Sequence, residues 1–225
     1  MLTVADLRRR ARARLDDELA PYLWSDNELL DYINDTVRDA AVRASLSVQD
    51  DVPIVLIPGT NKYALPNSIQ QVNAVYLLSK PSNILRRTSF RAQREYRPAI
   101  TQTGTPHAYA LDQTAAGTGD YTGTFIRTIT FINTPTLVDT AMLDVVRLPN
   151  LLKDDDGVPE MDDFWHPDLI LGITGLAYLK KDADTFDPKR SVRDLQLFED
   201  RFGVRIPASV MRERQTDIPF EIRMY

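Results

Sequence analysis

The hydrophobic period of this chain changes twice, and those changes limit the fold more than any other feature. Apolar residues recur at three- and four-residue steps at the start, give way to short β-branched and aromatic runs over residues 52–147, and return to helical steps after Pro159. The expected class is therefore α+β. Residues 1–50 read as an N-terminal helix pair, 51–149 as an inserted antiparallel β module, 150–203 as a C-terminal helix pair and 204–225 as an extended C-terminal arm. A chain of 225 residues can bury a sizeable core, so one domain carrying an inserted module is the natural reading.

Local chemistry places the helices. The first is expected over residues 3–19, with Val4, Leu7, Ala11, Leu15 and Leu19 on one face, Thr3 as its cap and Asp6 reaching back to the first turn. Arg8, Arg9, Arg10, Arg12 and Arg14 fall mainly on the other faces, and Pro21 ends the segment. Ser25 and Glu28 form the capping box of a second helix, whose Leu29, Leu30, Ile33, Val37, Ala40, Ala41 and Ala44 make a wide apolar face. Trp165-His166-Pro167 reads as the next start, with His166 at the cap, Pro167 in the first helical position, and Trp165 and Ile170 placed for a hydrophobic staple. Gly172 and Gly175 lie inside that helix. Each glycine costs about 1 kcal/mol relative to alanine, so close approach of another helix is the expected compensation. Asp187-Pro188 opens the last helix, Val192, Leu195, Phe198 and Phe202 form its stripe, and Gly203 stops it.

Between the helix pairs, residues 52–57 and 62–65 flank Pro58-Gly59-Thr60-Asn61, which reads as a hairpin turn. Further strands are expected at 72–78, 107–111, 124–132 and 141–147, with a short helix capped by Thr88-Ser89 and a loop marked by Gly117, Gly119 and Gly123.

Composition and motifs exclude several classes of function. The net charge of -5 argues against a dedicated nucleic-acid binder. Cysteine is absent, which removes disulfides, thiolate zinc sites and cysteine nucleophiles, and fits synthesis in a reducing cytoplasm. No apolar run approaches the roughly 20 residues a membrane span needs, and no secretory leader is legible. Asp154-Asp155-Asp156-Gly157 invites a calcium loop, but with Gly157 in the invariant glycine position Leu152 becomes the first ligand and Asp163 stands where the closing glutamate belongs. A solvated acidic turn is the better reading. Glu160, Asp162, Asp163 and His166 are near in sequence and could supply acid and base groups, although acidic residues ahead of a helix are expected from its dipole. The glycines at 117, 119 and 123 miss a dinucleotide fingerprint, and His107 and His166 lack partners at metal-ligand spacing. Neither an enzyme site nor a cofactor is expected, and the work of the chain falls to contacts with other proteins.

Two surfaces are candidates for that work. Arg8, Arg9 and Arg12 form a basic patch that could face an acidic neighbouring subunit or DNA phosphate, or be a plain solvated face. The arm carries Phe220, Ile222, Arg223, Met224 and Tyr225 in an alternating pattern. Burying its four apolar side chains yields on the order of 6–10 kcal/mol gross, while ordering the backbone costs roughly 1–2 kcal/mol per residue. These terms nearly cancel, so an arm that grips another molecule needs a sheet edge or a preformed groove to supply main-chain hydrogen bonds; folding back on its own domain is the other outcome.

Three segments, in this order and spacing, resemble the head-to-tail adaptor (connector) proteins of tailed bacteriophages. They are Trp24-Ser25-Asp26-Asn27-Glu28-Leu29-Leu30-Asp31-Tyr32-Ile33-Asn34-Asp35, then Gly104-Thr105-Pro106-His107-Ala108-Tyr109, then Val158-Pro159 followed by Phe164-Trp165-His166-Pro167-Asp168-Leu169. The likeness covers most of the chain; the arginine-dense first helix is less typical, and the long arm is only generally similar. The resemblance implies a helical bundle completed by the N-terminal and C-terminal helix pairs, with the β module set into it. It also implies a virion protein at the portal vertex, made in the host cytoplasm. On the order of twelve copies would form a ring with the portal protein above it and tail or nozzle proteins below. Packaged DNA would pass through the channel without sequence-specific binding, and the arm ending in Tyr225 would lie against the portal. Tight packing at Gly172 and Gly175 fits this picture. The rivals from other classes are a virion-associated glycan hydrolase using Glu160, Asp162 or Asp163, and a small DNA-binding regulator reading through the arginines of the first helix.

Overall fold

The computed structural model describes residues 1–88, 102–115, 125–182, 184–207 and 210. These form two compact units, a helical one from Met1–Ser47 with Leu148–Ile206, and a β one built on Val48–Arg147.

The helical unit contains α1 (Val4–Leu15), α2 (Asp26–Ala44), a 3-10 turn (Asp163–Asp168), α3 (Leu169–Ala177) and α4 (Pro188–Phe202). Both anticipated capping boxes are present: Thr3 accepts from the Asp6 N–H and Ser25 from the Glu28 N–H, and each carboxylate returns to the cap's own N–H. The opening amides of α1 have a second support. The Val4 N–H donates to the Gly157 carbonyl at 2.9 Å and the Ala5 N–H to the Asp155 carbonyl at 3.0 Å, so the acidic turn is the seat of this helix. Helix α1 stops at Leu15 instead of continuing to residue 19, because Asp16 adopts the left-handed conformation (φ 57°) and closes it. Leu19 is accordingly 85% exposed.

Val4, Leu7 and Ala11 of α1, Ile33, Val37 and Ala40 of α2, Leu169, Ile170 and Ile173 of α3, and Phe198 and Phe202 of α4 share one core. Helix α3 is buried on almost every side, which suits its nearly uniform apolar composition. Its start differs from the expectation. His166 is not its cap: Pro167 lies within the preceding 3-10 turn, which Asp162 caps through the Phe164 N–H at 3.0 Å. In α4 the inward positions are Ser191, Asp194, Phe198 and Phe202, spaced by three, four and four residues, while Val192 is 64% exposed. A polar residue thus holds the inward place that an apolar one was expected to fill.

The β unit has eight described strands: β1 (Val48–Leu56), β2 (Lys62–Leu65), β3 (Ile69–Leu77), β4 (Lys80–Ile84), β5 (Arg86–Thr88), β6 (Ala108–Ala115), β7 (Phe125–Ile132) and β8 (Asp139–Arg147). They make two four-stranded sheets of order β1-β8-β3-β4 and β2-β7-β6-β5, antiparallel except where β5 runs parallel to β6. The expected hairpin does not form. Strand β1 pairs with β8 and β2 with β7, so Pro58-Gly59-Thr60-Asn61 is a corner between sheets. The corner is held from outside: the Gly59 N–H donates to Pro135 at 2.9 Å and the Phe131 N–H to Asn61 at 2.8 Å, with Gly59 at φ 82°. Leu56, Val72, Val75 and Leu143 from one sheet meet Leu65, Tyr109, Ile129 and Phe131 from the other in a shared core. Thr88 is the last residue of β5. The helix expected beyond Ser89, the loop of Gly117, Gly119 and Gly123, and the arm residues Phe220, Ile222, Arg223, Met224 and Tyr225 lie outside the described residues.

Candidate functional site: the looped end of the helical unit

The arginines of α1 do not form one outward patch. Arg12 is only 7% exposed; it donates to Asp17 at 2.6 Å, to the Trp24 carbonyl at 2.9 Å and to Asp26 at 2.9 Å, with Tyr22 stacked on its guanidinium at 3.8 Å. Arg8, one turn earlier on the same face, lies 3.0 Å from Asp155 and 3.5 Å from Asp26. Of the candidate patch of Arg8, Arg9 and Arg12, the first and the last are thus engaged within the helical unit. Arg9 remains open beside Asp6, but a buried guanidinium needs carboxylate partners, and Asp17 of the α1–α2 loop and Asp26 at the start of α2 supply them to Arg12. The Arg12 guanidinium in turn holds the Asp26 carboxyl below the usual range.

That loop is laced to the α3–α4 loop. Asp17, itself buried, accepts from the Leu23 N–H at 2.8 Å and the Trp24 N–H at 3.3 Å. The Trp24 indole donates to the Ala177 carbonyl at 3.1 Å, and Lys180 donates to the Leu23 carbonyl at 2.7 Å while pairing with Glu28 at 3.0 Å. Leu15, Trp24, Leu29, Ala177 and Tyr178 cluster beneath the two loops. Above them Leu19, Tyr22, Leu23, Leu179 and Phe186 are 42–85% exposed. Large apolar side chains displayed on a fixed scaffold are the mark of a contact surface. Sequence reasoning missed this surface, because exposure of a loop leucine is decided by contacts far along the chain.

Two further features fix the helices behind it. A Cβ on Gly172 would sit 2.5 Å from Thr36 Cγ2 and 3.0 Å from Phe198 Cε2; on Gly175 it would sit 2.7 Å from Leu195 Cγ. The two glycines thus mark where α3 meets α2 and α4. Asp194, fully buried on α4, accepts from Arg14 at 3.0 and 3.2 Å, from the Thr174 hydroxyl at 2.7 Å and from Arg193 at 3.1 Å. Burial alone would raise this carboxyl, yet the bonds from Arg14 and Thr174 outweigh it and hold the group below its ordinary value.

The acid and base candidates each have a structural partner. Glu160 accepts from the Asn150 backbone and side chain at 3.0 and 2.7 Å, Asp162 caps the 3-10 turn, and Asp163 lies 3.3 Å from the Met1 amino group. His166 is buried: its Nδ1 accepts from the Leu2 N–H at 3.1 Å, which leaves Nε2–H to donate to Met161 at 3.2 Å. Among the described residues no group of His, Asp and Glu is placed to hold a metal ion, and no helix is long and apolar enough to cross a membrane.

No curated protein matches the chain. A family model described as SU10 adaptor protein matches residues 2–218, nearly its whole length. The resemblance to phage head-to-tail adaptors thus rests on a match that spans both units, and the chain belongs to the SU10 adaptor protein family.

Proposed function

We propose that the chain is a structural virion protein, a head-to-tail adaptor whose copies form a ring between the portal and the tail and extend the DNA channel. The observation that carries this reading is the family match over residues 2–218, which leaves little of the chain outside an adaptor's architecture. The ring would hold on the order of twelve copies, with tail or nozzle proteins below it and DNA sliding through unread. In this reading the four helices act as one rigid wedge, a helical bundle built from both ends of the chain. The arm, residues 204–225, reaches beyond the wedge, and Phe220, Ile222, Arg223, Met224 and Tyr225 grip the portal. No turnover and no cofactor is involved. The internal partners of Glu160, Asp162 and His166 support that view, since each already serves a structural contact.

Co-sedimentation with portal rings tests the proposal. Removing residues 217–225 is expected to leave the helical signal intact and abolish attachment. Attachment at wild-type strength would reject the arm's role, and electron micrographs of purified protein on portal showing no ring would reject the adaptor reading.

A further inference from the structure

The end of α4 is built to send the chain off in one direction. Gly203 caps the helix, its N–H donating to the Glu199 carbonyl at 2.7 Å, but its φ of 87° and ψ of 169° are not the curled left-handed conformation that commonly closes a helix. They lie in an extended region open essentially to glycine alone. Apart from its chain neighbours, a Cβ there would meet no atom within 4 Å, so the backbone turn calls for the glycine and packing does not. Arg43, in the last turn of α2, holds that turn. Its Nε donates to Asp39 one turn back at 2.8 Å, its guanidinium lies 5.4 Å from the centre of the Phe198 ring, and its Nη1 donates to the Gly203 carbonyl at 2.9 Å and to Glu199 at 3.3 Å. The Arg43 side chain is only 13% exposed, so it is fixed before it reaches Gly203. Two residues further on, Arg205 lies 3.7 Å from the same Asp39, while Val204 is open to solvent.

We infer that Gly203 and Arg43 form an elbow that aims the arm, with Arg43 a positioning residue for the contact that residues 204–225 make with the portal. The inference deepens the arm's role in the reading given above and rests on it. A helix stop by itself needs no such device, since a left-handed glycine followed by solvated chain satisfies the last carbonyls. Here a mostly buried guanidinium, balanced by the carboxylates of Asp39 and Glu199, is devoted to the carbonyl from which the arm departs. An arm that leaves in a set direction has less freedom to lose on docking, and its apolar residues are held at a higher effective concentration near a groove on the partner. In a ring every copy would send its arm out at the same angle to its own helices, so a modest gain per arm is compounded over the copies.

Spin-label distances and titrated co-sedimentation with portal rings, both on the full chain, test this with Gly203→Ala and Arg43→Gln. The chain has no cysteine, so cysteines introduced at exposed Asp35 and Val204 carry the labels. Double electron–electron resonance is expected to give one narrow distance with Gly203 and Arg43 in place and a broadened or displaced one in each variant. Without labels, each variant is expected to attach to portal about three-fold more weakly, or worse, while its helical circular dichroism spectrum is unchanged. Gly203→Ala separates aim from packing: its methyl has nothing to strike, and a purely structural role would shift the melting temperature and leave attachment of the folded protein as it was. An unchanged distance in Gly203→Ala, or attachment of both variants at wild-type strength, overturns the elbow, and loss of attachment on removing residues 217–225 then leaves the arm's role standing. Attachment that survives that removal overturns the arm's role and the elbow with it.

Discussion

Residues far apart in sequence meet in the helical unit through single polar contacts set inside or beside the core. Asp194 receives Arg14, His166 receives the Leu2 N–H, and Asn34 exchanges two hydrogen bonds with Leu152 at 2.8 and 3.0 Å. The β unit is held differently. Its shared core is aliphatic and aromatic, and strand register aligns it, with Arg127 bound to the Ile69 and Gln70 carbonyls as the main polar clasp. The difference teaches where each unit is vulnerable: the helical one at a few positions that admit a single residue type, the β one through many contacts of similar weight.

The hardest blow to that contrast targets the glycines. Gly175→Leu would drive a side chain into Leu195, and overpacking of this kind costs about 3 kcal/mol or more when a whole leucine is added. Gly172→Ala, one methyl 2.5 Å from Thr36 Cγ2, is expected to cost about 2 kcal/mol. Ile129→Val in the β core removes one methyl and is expected to cost only about 1 kcal/mol. Guanidinium unfolding followed by circular dichroism measures all three, and equal losses in the two units would break the comparison.

Asp194→Ala comes next, with an expected loss of about 2 kcal/mol, toward the low end for a buried pair because water still reaches Arg14. Its sign with pH follows from the lowered carboxyl. Asp194 contributes its full stability above the ordinary aspartate value of about 3.9 and loses it as pH falls through its lower folded value. Wild-type stability is therefore expected to drop on the acid side of about pH 4, and Asp194→Asn to be less stable at neutral pH with a shallower acid limb. Parallel acid limbs in the two proteins would sink the role of this carboxylate.

What could be read from the sequence was local. The boxes at Thr3-Asp6 and Ser25-Glu28 were legible because cap and partner lie three residues apart. Ser25→Ala tests the more exposed box, with an expected loss of about 1 kcal/mol by thermal melting. Gly172 and Gly175 announced a close approach but not what approaches, since Thr36 and Leu195 reach them through the fold. The corner at Pro58-Gly59-Thr60-Asn61 was mistaken for a hairpin because turn residues report a reversal without naming the strand that receives it; β7 and β8 lie tens of residues away. Arg12 was placed on an outer face because its partners Asp17 and Asp26 come from the next loop and helix. The signal for Asp194 did exist, as a polar residue in step with Phe198 and Phe202, but exposed Val192 offered a more hydrophobic alternative.

The smallest effect expected would sharpen the comparison most. In the β unit the bulge between Gln49 and Val52 holds Asp51 at φ 58°, where it accepts the phenol hydrogen of Tyr76. Ionising Tyr76 would break that bond and set a further negative charge near Asp51, Asp144 and Asp50, so its pKa is pushed up to about 12. For an acid with a raised folded pKa the contact is complete below the ordinary tyrosine value of about 10 and is lost as pH climbs through the raised one. The Tyr76–Asp51 contact is thus expected to be lost at the alkaline end, as the Asp194 contacts are at the acid end. Phenolate absorbance titration of wild type against Tyr76→Phe isolates this tyrosine from the other eight of the chain's nine. Asp51→Asn is expected to bring its midpoint back toward the ordinary value with little change in melting temperature at neutral pH. A midpoint already ordinary in the wild type would remove the alkaline half of the contrast and leave the two units distinguished by packing alone.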